Sequence, residues 1–127
     1  MESCGGVALG FWHHEMFLAT GNGSYIDELD RVIYNVALGA ISQDGRKFYY
    51  SNKLNSEGFD RWDWHICPCC PPMLMKFFGY LPELIYAADE KNLFVNLFIS
   101  SEADLNIDQK KSLYSKLVII HGMETLR

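Results

Sequence analysis

The stretch Cys67-Pro68-Cys69-Cys70-Pro71-Pro72 decides how the rest of the chain is interpreted, because it holds three of the four cysteines within four positions. Proline is tolerated in the first turn of a helix, whose amides have no intrahelical partner, so a helix can start here and continue over 73–80. Cys69 and Cys70 would then lie at the helix N-terminus. The free amides and the helix dipole favour the thiolate there, which is the form that binds metal or attacks carbon.

The fourth cysteine, Cys4, lies far away in the sequence and follows a carboxylate in Glu2-Ser3-Cys4. Together, the two segments could supply one oxygen and three sulfurs to a zinc ion. A disulfide framework is the alternative, but adjacent cysteines rarely pair with each other, and clustered thiols beside a carboxylate suit a metal better. The cysteine pattern therefore favours a Zn²⁺ site.

Composition describes a globular chain of one-domain size, with 127 residues of which 49% are hydrophobic and 21% are charged. A net charge of -5 and a pI near 5.2 provide no basic surface for a phosphate backbone, so nucleic acid is not an expected partner. No apolar run reaches the length of a transmembrane helix, so no membrane partner is expected either. The first four residues lack the basic and apolar regions of a secretory signal, which favours the cytoplasm unless the natural N-terminus lies upstream.

Two helices are predicted in the first 40 residues. Apolar residues at mixed three- and four-residue spacings predict a helix over 5–20, ended by a left-handed turn at Gly21-Asn22-Gly23. Ser24 and Asp27 have the spacing of a capping box, and an apolar stripe then continues to Ala40. Because the turn between the helices is short, we expect them to form an antiparallel hairpin.

Several histidine and aromatic residues need an interpretation of their own. His13 and His14 would point about 100° apart on a helix, so we interpret them as surface or packing residues and not as ligands of one metal. Residues 47–51 are aromatic-rich in the manner of a strand, and 52–60 form a polar loop. Trp62 and Trp64 are typical of packing, although aromatic rings beside a polar pocket also suit the faces of sugars.

After the helix over 73–80, the apolar pattern changes from helical to alternating. Strands are predicted over 84–86, 93–99, 103–107 and 113–120, with the first two forming a hairpin. Residues 121–127 have no pattern and are expected to fray. The chain therefore divides near Leu81-Pro82 into a helical part and a β part, and the predicted fold class is α+β.

Five segments resemble, in order, the motifs of glycoside hydrolase family 127 and its relative, family 146. They are Glu2-Ser3-Cys4, Arg31-Val32-Ile33-Tyr34-Asn35, Phe48-Tyr49-Tyr50-Ser51-Asn52, Cys67-Pro68-Cys69-Cys70-Pro71-Pro72 and Leu93-Phe94-Val95-Asn96-Leu97. These families are β-L-arabinofuranosidases with an (α/α)6 barrel followed by β-sandwich domains. The resemblance implies that residues 1–82 are the last helices of the barrel and carry the zinc and cysteine site, and that residues 83–127 are the first antiparallel strands of a β-sandwich.

The resemblance also implies a role for each site residue. The zinc ligands would be Glu2, Cys4, Cys69 and Cys70, and Cys67 stays outside because four ligands fill a tetrahedral shell. Cys69 would also be the nucleophile, whose thiolate attacks the anomeric carbon to give a thioglycosyl enzyme that water hydrolyses with retention of configuration. Tyr50 matches a tyrosine of the family's sugar pocket. The expected partners are therefore carbohydrates, specifically L-arabinofuranosides.

The chain departs from the family in what it lacks. The family's general acid/base glutamate and several sugar-binding histidines lie upstream of the position that matches Glu2, and Met73 stands where the family has asparagine. The resemblance therefore implies a fragment that is weak or inactive alone, with uncovered apolar faces that favour self-association. The alternative is a non-catalytic zinc-binding structural or interaction module, because a zinc site that only braces the fold explains the same four ligands.

Overall fold

The computed structural model describes residues 2–51, 58, 60–89, 92–106 and 114–119, and helices dominate this part of the chain. In chain order, the elements are α1 (Ser3–Thr20), α2 (Ser24–Val32), a π-helical turn (Ile33–Ala37), α3 (Leu38–Ala40), α4 (Cys70–Ile85), β1 (Tyr86–Ala88), β2 (Leu93–Val95), β3 (Ser101–Asn106) and β4 (Tyr114–Ile119). The chain forms two compact units, Met1–Leu81 and Pro82–Arg127, and each is described by itself. Within the described residues, no helix combines the length and the apolar character needed to cross a bilayer.

The first helix begins earlier than predicted and ends where the glycine turn predicts. α1 starts at Ser3 instead of residue 5, so that Cys4 belongs to its first turn. Gly21 takes the left-handed conformation with φ 67°, and its N–H donates to the Phe17 carbonyl at 2.7 Å. Glycine adopts this conformation without the steric penalty that a Cβ would bring. The predicted helix and its stop are confirmed.

The predicted capping box of the second helix is wrong. Gly23 is the N-cap of α2, Ser24 is already helical, and no side chain caps the helix. Asn22 takes part of this role, because its side-chain carbonyl accepts the Ser24 N–H at 3.0 Å. Asparagine side chains commonly bond the backbone two residues later in turns, and that geometry is available here before the helix begins.

The two helices form the predicted hairpin, and its packing depends on small residues of α1. A Cβ on Gly6 would lie 2.6 Å from Cγ1 of Val36, and one on Gly10 would lie 2.9 Å from Cγ1 of Val32. Both distances are too short for a methyl group, so glycine allows the helices to approach closely. The apolar stripe predicted for the second helix is largely buried, with Leu29 and Ala37 fully inaccessible to solvent.

A π-helical turn at Ile33–Ala37 interrupts the second helix and was not predicted. Such a turn inserts one extra residue into the helical ladder. The apolar residues before, within and after the turn, Ile26, Leu29, Ile33, Ala37 and Ala40, are nevertheless all buried. The turn therefore keeps the stripe facing the core as far as Ala40.

The strand predicted at 47–51 is not present. Phe48 instead makes isolated bridges to Ile41 and Trp62, and Ser51 makes one to Glu2. The two hydrogen bonds between the Phe48 and Trp62 backbones measure 3.0 and 2.8 Å. Because the pairing partner changes within a few residues, no ladder extends far enough to form a strand. The segment instead links three distant parts of the first unit.

The last helix begins at the cysteine stretch as predicted, but it ends later. α4 starts at Cys70 with Pro71 and Pro72 in its first turn, and it runs through Pro82 to Ile85. Leu74, Phe77 and Leu84 are buried at helical spacing, so the apolar period continues beyond the predicted end at residue 80. The prediction that 84–86 forms a strand is therefore wrong for 84 and 85.

The described residues of the second unit form two antiparallel pairs of strands. β1 pairs with β2 from Tyr86↔Val95 to Ala88↔Leu93, and β3 pairs with β4 from Ser101↔Ile119 to Asn106↔Tyr114. These pairs of strands confirm the predicted pairing and the strands near 103–107 and 113–120, whereas the second strand ends at Val95 and not at residue 99. The predictions for 52–57 and 121–127 lie outside the described residues.

Candidate metal and active site

Three sulfur atoms meet where two helices begin. The Sγ of Cys4, in the first turn of α1, lies 3.3 Å from the Sγ of Cys69, which in turn lies 3.8 Å from the Sγ of Cys70. All three ligand atoms lie within 4.8 Å of one another. Cys70 is fully buried, whereas Cys4 and Cys69 are half-buried. The structure therefore brings together three of the residues that the sequence predicts as metal ligands.

The fourth predicted ligand, Glu2, lies beside this sulfur cluster. Its Oε2 accepts the Cys4 thiol at 3.5 Å, and its Oε1 accepts the Tyr50 hydroxyl at 2.5 Å. These two hydrogen bonds, that of Tyr50 first, lower the pKa of the Glu2 carboxyl below its usual value. The same bond to Glu2 raises the pKa of the Tyr50 phenol. Tyr50 therefore contacts a predicted metal ligand directly.

Backbone contacts hold the segment Glu2-Ser3-Cys4 against residues 49–51. The Ser3 N–H donates to the Tyr50 carbonyl at 2.8 Å, and the Ser3 hydroxyl donates to the Tyr49 carbonyl at 2.6 Å. Ser3 is 1% exposed, so both of these bonds are shielded from water. The first turn of α1 is thereby fixed relative to Tyr50.

Sequence reasoning missed His65, which contacts both sides of the site. Its ring stacks on that of Tyr50, with centroids 4.1 Å apart and planes 13° apart, and it meets Trp62 edge-on at 5.0 Å. Its Nδ1 accepts the Cys67 N–H at 3.1 Å. The position of a histidine two residues before the cysteine stretch was the available signal, because a side chain can bond the backbone over that interval.

The protonation of the thiols differs from the sequence expectation. The hydrogen bond with Cys4, followed by burial, raises the pKa of Cys69 to about 11, and burial raises the pKa values of Cys4 and Cys70. Contact between the sulfur atoms and burial therefore oppose the thiolate that the helix N-terminus is expected to favour. Sulfur atoms this close disfavour ionisation of one another, and a cation reverses this balance.

The donor set fits a zinc ion. Three thiols and an adjacent carboxylate are among the ligands that Zn²⁺ takes in tetrahedral sites. The mutual contacts of the thiols and their raised pKa values leave a cluster that a bound cation would satisfy. Cys67 is exposed and does not belong to this group of three cysteines.

Other candidate residues have structural surroundings. His13 and His14 are buried and contact aromatic rings, His13 at 5.1 Å from Trp12 and His14 at 5.8 Å from Tyr80. This confirms their interpretation as packing residues. The acidic residues Asp60 and Asp63 lie 3.5 and 3.9 Å from Nζ of Lys47.

The comparison with protein families decides what kind of protein carries this cluster. The family described as "Beta-L-arabinofuranosidase, GH127 catalytic domain" matches residues 1–83, which include every predicted site residue. The chain belongs to glycoside hydrolase family 127. The match extends across both helix starts that supply the thiols, so the cysteine cluster is part of the family's catalytic domain.

Family 127 relatives agree in sequence and in fold. A non-reducing end beta-L-arabinofuranosidase of Bifidobacterium longum subsp. longum is 27% identical over 129 aligned residues, covering 87% of this chain and 20% of the relative. A solved GH127 beta-arabinofuranosidase is 34% identical with a TM-score of 0.81, covering 85% of this chain and 17% of that one. The GH127 beta-L-arabinofuranosidase Ara127N of Geobacillus stearothermophilus T6 is 31% identical with a TM-score of 0.78, covering 84% and 19%. The chain spans about a fifth of the length of these relatives.

Proposed function

We propose that these 127 residues are the nucleophile-bearing part of a retaining β-L-arabinofuranosidase. The observation that carries the proposal is the convergence of three thiols and one carboxylate from segments 65 positions apart in the sequence. On this proposal, residues 1–82 are the last helices of an (α/α)6 barrel and residues 83–127 begin a β-sandwich. The family match over residues 1–83 supports the first part of this assignment.

The proposed metal ligands are Glu2, Cys4, Cys69 and Cys70. A bound Zn²⁺ would keep the sulfur atoms deprotonated at neutral pH, which their raised pKa values otherwise prevent. Ser3 and Tyr50 already hold Glu2 and Cys4 in place through the contacts between residues 2–4 and 49–51. The chain therefore contributes a preorganised set of ligands.

Cys69 is the proposed nucleophile. Its sulfur would attack the anomeric carbon of a β-L-arabinofuranoside, forming a C–S bond while the glycosidic C–O bond breaks and the leaving oxygen takes a proton. Water would then displace the sulfur from the opposite face, so that two inversions give net retention. The half-buried position of Cys69 supports this role over the fully buried Cys70. Tyr50 is the proposed sugar contact; because its hydroxyl donates to Glu2, it would accept a hydrogen bond from a sugar hydroxyl.

The proton for the leaving oxygen would come from outside these 127 residues. On the family resemblance, the acid/base glutamate would lie upstream of the position that matches Glu2, and the described carboxylates Asp60 and Asp63 lie beside Nζ of Lys47. A positioned general acid typically supplies roughly 10²- to 10⁴-fold in rate. We therefore expect the 127-residue polypeptide by itself to hydrolyse unactivated arabinofuranosides slowly or not at all.

An activated aryl β-L-arabinofuranoside tests this proposal, because its leaving group needs little protonation. The zinc-loaded polypeptide should become labelled on Cys69, as detected by peptide mass spectrometry, and Cys67→Ser should be labelled equally while Cys69→Ser should not. Zinc binding without labelling would favour the alternative, a non-catalytic zinc-binding module in which the cluster only ties residues 2–4, 49–51 and 67–70 together. Rapid hydrolysis of an unactivated disaccharide would contradict the missing acid.

Self-association is the partner proposal that the surface supports. An open cleft of about 570 Å³ in the first unit is lined largely by apolar side chains, among them Trp64 and Met75, which are 69% and 75% exposed. Exposed apolar patches of this kind favour contact with another surface. Light scattering over a concentration series should show an apparent mass that rises with concentration. Trp64→Lys should reduce this rise more than the control Gln43→Lys, which changes an exposed residue outside the cleft.

A further inference from the structure

We infer that His65 is a positioning residue of the metal site, holding Tyr50 against Glu2 with its ring and holding the Cys67 amide with its Nδ1. The inference rests on the proposed metal site and assigns to it a residue outside the four ligands. His65 is the described side chain that touches both the residue bonded to Glu2 and the backbone that leads into Cys69.

The ring of His65 fixes the orientation of Tyr50. The planes of the two rings are 13° apart and their centroids are 4.1 Å apart. The Trp62 ring packs edge-on against His65, with an angle of 71° between the ring planes. Trp62 is itself fixed, because its backbone makes two hydrogen bonds with Phe48. The stack therefore restricts rotation of the Tyr50 ring away from Glu2. Without the stack on His65, the hydrogen bond to Glu2 alone would have to compensate for the rotamer entropy that the Tyr50 side chain loses when it is ordered.

The Tyr50 hydroxyl transmits this restraint to the carboxylate. Glu2 is exposed, so its side chain would otherwise sample several rotamers. With Oε1 occupied by the Tyr50 hydroxyl, Oε2 is directed toward the thiol of Cys4 at 3.5 Å. A partner that orients a ligand in this way commonly contributes about 10- to 100-fold to metal affinity.

The Nδ1 of His65 restrains the other half of the ligand set. It lies 3.1 Å from the Cys67 amide nitrogen, whose N–H it accepts, and 3.2 Å from the Cys67 carbonyl oxygen. Cys67 begins the short turn through Pro68 that delivers Cys69 to the sulfur of Cys4. One imidazole therefore connects the segment of Glu2 and Cys4, through Tyr50, with the segment of Cys69 and Cys70.

Metal affinity measured by competition with a chromophoric zinc chelator tests the inference on the 127-residue chain. His65→Ala should bind Zn²⁺ at least about 10-fold more weakly than wild type. The matched control is Ile66→Ala, which truncates the 93%-exposed neighbouring residue and should change affinity less than twofold. His65→Phe keeps a stacking ring but loses the acceptor, so it should recover part of the affinity.

A double-mutant cycle with Tyr50→Phe tests whether His65 acts through Tyr50. The His65→Ala/Tyr50→Phe variant should lose less affinity than the product of the two single losses, because both changes release Glu2. In the cobalt-loaded protein, the thiolate and d–d absorption bands should shift in His65→Ala and stay unchanged in Ile66→Ala. A general loss of stability would not by itself produce this spectral difference.

The outcomes separate this inference from the proposed function. A wild-type chain that binds neither zinc nor cobalt would overturn both. Wild-type binding with equal affinity and an identical cobalt spectrum in His65→Ala would overturn the inference alone, as would losses that multiply in the double variant. If His65→Ala does not fold, the His65→Phe variant decides the question. It must bind Zn²⁺ more weakly than Ile66→Ala and more tightly than the double variant His65→Phe/Tyr50→Phe. Any other order of zinc affinities contradicts the inference.

Discussion

The helical hairpin and the cysteine site are held together by different interactions, although both contain α1. The hairpin is stabilised by apolar side chains such as Val7 and Leu29, which are fully buried between neighbouring helices. The site depends on directional contacts between residues 46, 48 and 65 positions apart. Apolar packing keeps most of its stabilising effect when side chains shift slightly, whereas hydrogen bonds and metal–ligand bonds weaken steeply when the distance or angle changes. The hairpin should therefore keep its structure when metal is removed, and the site should respond to changes of single atoms.

The largest effect is expected from Phe77→Ala, in the part of α4 that packs against α1 of the hairpin. Phe77 is fully buried and lies edge-on to Phe11 with centroids 5.3 Å apart. Loss of such a side chain typically lowers the free energy of unfolding by about 3–5 kcal/mol. Denaturant unfolding should show this loss equally with zinc and with chelator. Leu18→Ala, at a 52%-exposed position, should change the value by less than about 0.5 kcal/mol.

The next largest effect is on zinc binding, and it distinguishes the cysteines of the cluster from Cys67. Cys70→Ser removes a buried thiol of the cluster and should lower zinc affinity by at least the roughly 10- to 100-fold that loss of an outer partner costs. Cys67→Ser, two positions before Cys69, changes an exposed thiol outside the cluster and should leave the zinc content near one per chain. Metal analysis of protein purified without chelator measures both. An equal loss of zinc from the two variants would contradict the assignment of Cys4, Cys69 and Cys70 as the sulfur ligands.

A smaller effect distinguishes two adjacent glycines of α1. Gly6→Ala places a methyl group 2.6 Å from Val36, whose branched side chain rotates little, so we expect a net loss of about 1–2 kcal/mol after the gain in helix propensity. Gly5→Ala meets no atom within 4 Å and should stabilise the helix by about 0.5–1 kcal/mol. Thermal unfolding of the two variants gives opposite shifts if the close approach is real. Shifts of the same sign would contradict it.

The smallest effect is the pH dependence of the metal-free site. Because the folded-state pKa of Glu2 is lowered by Tyr50, the Glu2 interaction stabilises the protein above the ordinary value of 4.5 and is lost as pH falls through the lowered pKa. Tyr50→Phe should raise the Glu2 pKa and weaken this dependence, with the hydrogen bond from Cys4 remaining, as NMR titration of the carboxyl carbon would show. Tyr34→Phe, which changes a 56%-exposed tyrosine, is the control and should leave the titration unchanged.

Sequence rules predicted the features that depend on neighbouring residues. The stop at Gly21 and the helix start at Cys70, with Pro71 and Pro72 in its first turn, follow from local backbone geometry, and both are present. The family resemblance added the ligand set, of which the three thiols are indeed close together. The cap by Asn22 was missed because the capping-box spacing of Ser24 and Asp27 offered a competing local solution.

Other features could not be predicted because they depend on contacts between distant segments. Phe48 is in a strand-like sequence, but its bridges to two different partners prevent a ladder. The stack of His65 on Tyr50 and the raised pKa of Cys69 arise only when separate segments meet. Local propensity contains no information about contacts between distant segments, so neither feature could be predicted from the residues around it.

The separation of Cys4 from Cys69 also sets the order of events during synthesis. Their sulfur atoms touch only after 65 further residues have been added, which takes about 3–13 s at ordinary rates of translation. The first two helices are complete well before that time and can pair within microseconds to milliseconds, since their contacts are local. Cys4 therefore has neither Cys69 nor Cys70 beside it until the last helix begins to be made. Metal capture would be the closing step of folding for this unit and not its nucleus.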